Sequence, residues 1–113
     1  MNANKIFYRF NLLIVARVNL SVLRNNSSGP EQALYRALLQ DITDEMESLI
    51  PKIREIFKRI NNRTVIKDIM AIYFEDMSYE AWAKVRGVSV ETIYRNIKNA
   101  FEAIDCEIEE GIA

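Results

Sequence analysis

The 113-residue chain is half apolar, contains three Gly and two Pro, and carries a formal charge of −1. It has no His and a single Cys, which excludes His-based catalytic triads, His metal sites and an internal disulfide framework. The near-neutral charge gives no general attraction to nucleic acid or to an anionic membrane, and the lone thiol of Cys106 suits a reducing cytosol, so a cytoplasmic location is expected.

Leu, Ile, Ala, Glu, Lys and Arg at spacings of three and four dominate the chain, which predicts an all-α fold. The first helix is predicted over residues 4–24, with Ile6, Phe10, Leu13 and Ile14 on one face. Residues 18–22 alternate as a strand would, but an isolated strand would have nothing to pair with. The apolar run Leu12–Ala16 is bracketed by Arg9 and Arg17 and is too short to span a bilayer. No cleavage site follows it, so neither a membrane partner nor a signal peptide is expected.

"NNSSGP", residues 25–30, is a loop by composition, and Pro30 suits the first turn of the next helix. Residues 30–60 then carry a long apolar stripe, through Leu34, Leu38, Ile42, Met46, Leu49, Ile53, Ile56, Phe57 and Ile60. Pro51 lies inside it and is expected to kink or split the helix. The stripe fits core packing within one chain or a seam between chains, since spacing alone does not separate the two. A helical stem over residues 1–60, serving as a homodimer contact, is one expectation.

Charge is distributed in blocks. Residues 1–30 hold Lys5, Arg9, Arg17 and Arg24 and no acid, whereas 31–50 set Arg36 against Glu31, Asp41, Asp44, Glu45 and Glu47. Opposite charges would face each other if the first two helices fold back antiparallel, biasing the pairing more than holding it. Residues 51–67 reverse the sign, with Lys52, Arg54, Lys58, Arg59, Arg63 and Lys67 against Glu55. The last twelve residues form an acidic tail containing Glu102, Asp105, Glu107, Glu109 and Glu110. The carboxylate clusters at 41–47 and 105–110 read as solvated faces rather than metal or acid–base sites.

Residues 61–113 make the second region. Asn62 is a candidate N-cap for a helix through Ile66, Ile69, Met70 and Tyr73, ending near residues 75–77. Ser78 caps a predicted helix over residues 79–85, Gly87 fits the left-handed position that closes it, and Val88 plugs the corner. Ser89 then caps a second helix to about residue 108, with Ile93, Ile97, Ala100, Phe101 and Ile104 as its inward stripe. Trp82 and Ala83 also face inward. Two helices joined through such a turn make a helix-turn-helix.

The remaining face of that second helix offers Val90, Glu91, Tyr94, Arg95, Lys98 and Asn99. A recognition helix presents such residues to base edges in the major groove. Arg95 suits guanine, Asn99 adenine and Glu91 cytosine. Thr92 and Tyr94 suit phosphate, Lys98, Lys84 and Arg86 suit the backbone, and Ser89 brings a helix N-terminus towards phosphate.

The stretch "MSYEAWAKVRGVSVETIYRNIKNAFEAI" resembles the helix-turn-helix of sigma-factor region four. It is most similar to short phage-encoded transcription regulators of the ArpU and RinA type, which carry this module at the C-terminus. Ser78, Glu80, Trp82-Ala83, Gly87-Val88-Ser89, Thr92-Ile93, Arg95, Lys98, Ala100 and Ile104 carry the resemblance. Ala81 stands where the pattern has Glu, Arg86 where it has Leu, and Trp82 is large for its place. The resemblance implies a sequence-specific DNA-binding regulator encoded by a phage or prophage, acting with RNA polymerase. The alternative is an oligomeric assembly protein, such as a packaging-type DNA-binding subunit, using the helix pair for packing. No enzyme activity and no cofactor are expected, because the chain lacks both His and a Gly-rich phosphate loop.

Overall fold

The computed structural model of the chain describes residues 2–112, with side chains described as far as Glu107. It is all-α: α1 (Ala3–Asn25), α2 (Gly29–Arg59), α3 (Arg63–Ile69), a π-helical turn (Met70–Phe74), α4 (Tyr79–Arg86) and α5 (Val90–Ile112). No strand occurs among the described residues, so the alternating segment 18–22 is helical.

α1 and α2 form a long antiparallel hairpin. Arg9 forks onto Glu45 across it, with Nη2 2.8 Å from Oε1. That hydrogen bond lowers the Glu45 carboxyl and raises the Arg9 guanidinium. Both groups are well exposed, so the pair aligns the helices more than it stabilises them. At the loop, Gln32 donates to the carbonyls of Arg24 and Ser27 and ties the two helix ends together. α1 is long and apolar enough, by length and composition alone, to cross a membrane. In this fold it lies along α2 and buries Phe7, Phe10 and Leu13 in the core.

Pro51 neither splits nor ends α2, which runs through it. The residue is exposed, so the Glu47 carbonyl that loses its partner faces water. The stripe also drifts. Met46, Ile53, Ile56 and Ile60 are buried, but at the start of α2 the buried residue is Leu39, while Leu34 and Leu38 are exposed. A period of 3.6 carries those two leucines away from the seam with α1.

The stem and the C-terminal helices share one core. Phe7 stacks on Phe101 of α5 at 5.1 Å between ring centroids and meets Phe57 of α2 edge-on at 5.4 Å. It also touches Tyr73 and Phe74 at 5.8 and 6.0 Å. The wider π turn, expected from sequence to be ordinary α-helix, brings these two consecutive rings onto Phe7. The α1 N-terminus is capped from the far end of the chain, where Asp105 Oδ1 accepts the Ala3 N–H at 2.9 Å. The break expected near residue 60 is present at 60–62, but it does not separate two cores: Ile53, Ile56 and Ile60 lie in the same cluster as Ile69, Ile93 and Ile97. The hairpin extends beyond that cluster. The Cα radius of gyration is 16.8 Å, against about 13 Å for a compact domain of this length.

Candidate nucleic-acid interface

The helix pair is built locally as its residues dictate. Ser78 accepts the Ala81 N–H at 3.1 Å and starts α4. Gly87 ends it at φ 71°, ψ 31°, in the left-handed region. The N–H groups of Gly87 and Val88 both return to the Ala83 carbonyl, at 2.8 and 3.1 Å, closing the orphan end of the helix. Ser89 Oγ accepts the Thr92 N–H at 3.1 Å and begins α5. A Cβ at Gly87 would meet nothing within 4 Å, so Gly87→Ala pays only the backbone cost. It is expected to lower stability by about 1–2 kcal/mol, read from urea unfolding.

Ile93, Ile97, Phe101 and Ile104 are buried, which turns the opposite face of α5 outward. Glu91, Tyr94, Arg95, Lys98 and Asn99 are exposed together on it, with Val90 at its start and Ser89 just before. Arg95 lies 3.9 Å from Glu91, one turn earlier, and both remain open to solvent. Tyr94 is 55 % exposed and leans on the half-buried Tyr79 of α4, at 6.2 Å between centroids. Thr92 is half-buried, and its hydroxyl is shared with Ser89 at 2.8 Å, so it braces the cap as well as facing outward. Lys84 is exposed on α4.

Arg86 departs from its expected place. Its guanidinium turns inward and forks onto Asp68 of α3, Nε to Oδ1 at 2.7 Å and Nη2 to Oδ2 at 3.0 Å. Trp82 Nε1 donates to the same Oδ1 at 2.7 Å. Asp68 has no exposed surface and Arg86 keeps 20 % of its side chain in solvent, so this guanidinium is committed to the interior and is removed from the phosphate-contacting set. The hydrogen bonds to Asp68 raise the Arg86 pKa. The large Trp82 and the basic Arg86 thus have one explanation: they satisfy a buried carboxylate and tie α4 to α3. Asp68 was not among the residues expected at the site from the sequence. Its signal was there, because Val65, Asp68, Ile69 and Ile72 follow a buried-face spacing in which an acid is out of place.

The electrostatics around α5 are weak. From 68 to 101, Asp68, Glu75, Asp76, Glu80 and Glu91 stand against Lys84, Arg86, Arg95 and Lys98, a net of −1. The basic residues of 51–67 are on the surface apart from the tail's approach to one of them: Arg59 bonds Glu55 at 3.1 Å and comes within 3.9 Å of Glu107. The side chains of Glu109 and Glu110, part of the expected acidic tail, lie outside the described residues.

No family model matches the chain, and no curated protein or solved structure matches it.

Proposed function

We propose that the chain is a sequence-specific DNA-binding transcription regulator that reads the major groove with the first turns of α5. The observation that supports this reading is the joint exposure of Tyr94, Arg95, Lys98 and Asn99 on a helix opened by Ser89 behind a left-handed Gly87 turn. Arg95 is the side chain for bidentate contact with guanine, Asn99 follows it one turn later, and Lys98 and Lys84 reach phosphate. The weak local charge means that one copy binds loosely, because phosphate contacts supply most non-specific affinity. Further contacts come from a second copy, or from RNA polymerase already holding the DNA. The resemblance to short phage regulators of the sigma region-four type agrees with the second route.

Selection of bound sequences from random DNA at two salt concentrations tests this. Enrichment of a short site, with affinity falling as salt rises, is expected. No enrichment and no binding at low salt would remove the proposal. Arg95→Ala is expected to cost about 1–3 kcal/mol on the selected site and to relax preference at one base pair. Lys98→Ala is expected to weaken all sequences alike and reduce the salt slope by about one.

A second reading, an assembly protein that uses the helix pair only for packing, is favoured by one feature. Val18, Val22, Leu34 and Leu38 leave the outer part of the hairpin apolar and uncovered. The two readings separate on whether Arg95→Ala affects DNA binding while leaving self-association intact.

A further inference from the structure

An apolar groove of about 500 Å³ lies between α1, α2 and the π turn, away from α4 and α5, which contribute nothing to its lining. That volume falls in the range of roughly 300–1,000 Å³ typical of binding clefts. Phe10 and Ile53 are buried in its floor, with Phe57 and Phe74 half-buried beside them. Ile50 of α2 and Met70 of the π turn stand at its edge, 37 % and 38 % exposed. Among the described residues, the charged side chains that line it are Arg17 of α1 and Arg54 of α2, without an acid. Both are exposed, and neither joins an ion pair among the described residues.

The two arginines belong to opposite ends of the groove. Arg9 bonds Glu45 across the hairpin and marks a common level on the two helices. Arg17 is eight residues from that level towards the hairpin loop, and Arg54 is nine residues the other way. At a helical rise of about 1.5 Å per residue, their backbones are about 25 Å apart along the hairpin. Side chains on a helix lean towards its N-terminus, so in this antiparallel pair the two guanidiniums lean towards each other over the apolar floor. The groove is therefore apolar along its length and cationic at both ends.

We propose that this groove binds an acidic amphipathic helix of a partner protein, with an apolar stripe of about three turns and a carboxylate at each end. Charge selects this occupant. A basic helix would oppose both guanidiniums, and an apolar one would cover them unpaired. A fatty acid has a single anionic end and pairs with one of the two. Met46 and Met70 in the lining have flexible thioether side chains that repack around different apolar anchors. The site stands apart from the DNA reading, since it uses no residue of α4 or α5, and either can fail without the other.

Selection on the full chain from a phage-displayed library of random 16-residue peptides tests this. Enriched sequences are expected to carry apolar residues at i, i+4 and i+7 with Asp or Glu at both ends. A synthetic peptide of the leading sequence is expected to lose about tenfold in affinity against Arg17→Glu combined with Arg54→Glu. A fresh selection on that charge-reversed variant is expected to turn the end residues to Lys and Arg, an exchange that misfolding would not produce. Ile50→Glu is expected to abolish binding with unchanged helical circular dichroism. Should it unfold the chain, Met70→Gln, also at the edge, is expected to weaken the peptide. No enrichment, enrichment without end acids, or a peptide whose affinity survives these variants would overturn the proposal. Binding of dodecanoate but of no peptide would also overturn it, by assigning the groove to a lipid anion.

Discussion

Phe7→Ala is expected to destabilise the chain by about 4 kcal/mol. Phe7 has no exposed surface, stacks on Phe101 and touches Phe57, Tyr73 and Phe74. Removing it opens a cavity walled by rings from α2, the π turn and α5, none of which can collapse far without losing its other contacts. Domains of this size hold only about 5–15 kcal/mol in total, so the variant will sit near the edge of folding. Urea unfolding followed by circular dichroism checks it. A loss below about 1 kcal/mol would mean that α1 is an appendage rather than part of the core. The helix that faces DNA in the proposed reading takes its core from residue 7, so the helix-turn-helix is not an independent module. Weakening the stem should therefore weaken DNA binding through folding, with the site-specific contacts untouched.

Asp68→Leu is expected to cost about 3 kcal/mol, because it leaves the Arg86 guanidinium and the Trp82 indole N–H without partners in a largely buried place. The value sits at the lower end for a broken buried pair because Arg86 keeps 20 % of its side chain in water and can turn outward. Adding Arg86→Met should recover much of the loss, since an apolar replacement of both partners removes the stranded charge. A double-mutant cycle in urea measures the coupling, with a value of at least about 1 kcal/mol expected. Near-zero coupling would mean that Arg86 is free to serve as a surface contact. Arg86→Met alone should reduce stability, whereas its effect on DNA binding should follow the loss of folded protein.

The local devices of this fold were readable in the residues. Asn62, Ser78 and Ser89 cap the helices they were expected to cap, and Gly87 takes the left-handed conformation its position implied. These interactions span two or three residues, so a short stretch contains both partners. The inward stripe of α5 was equally legible, because a 3.6-residue period needs only one helix to show itself. The exposed face of Tyr94, Arg95, Lys98 and Asn99 followed from that stripe by subtraction.

What the residues could not announce depends on partners far along the chain. Arg86 looked like a phosphate contact, and only Asp68, 18 residues away, turns it inward. The N-terminal amide of Ala3 is capped by Asp105, and Phe7 meets Phe101, both across nearly the whole chain. The stripe on α2 gave no sign that Leu39 would be buried while Leu34 and Leu38 would not, because drift relative to a neighbouring helix is a property of the pair. Helix, cap and turn were thus settled by the sequence itself, through short-range hydrogen bonds and periodicity. The use of each exposed or buried side chain was decided by tertiary structure, because burial and charge pairing depend on which distant residues arrive alongside.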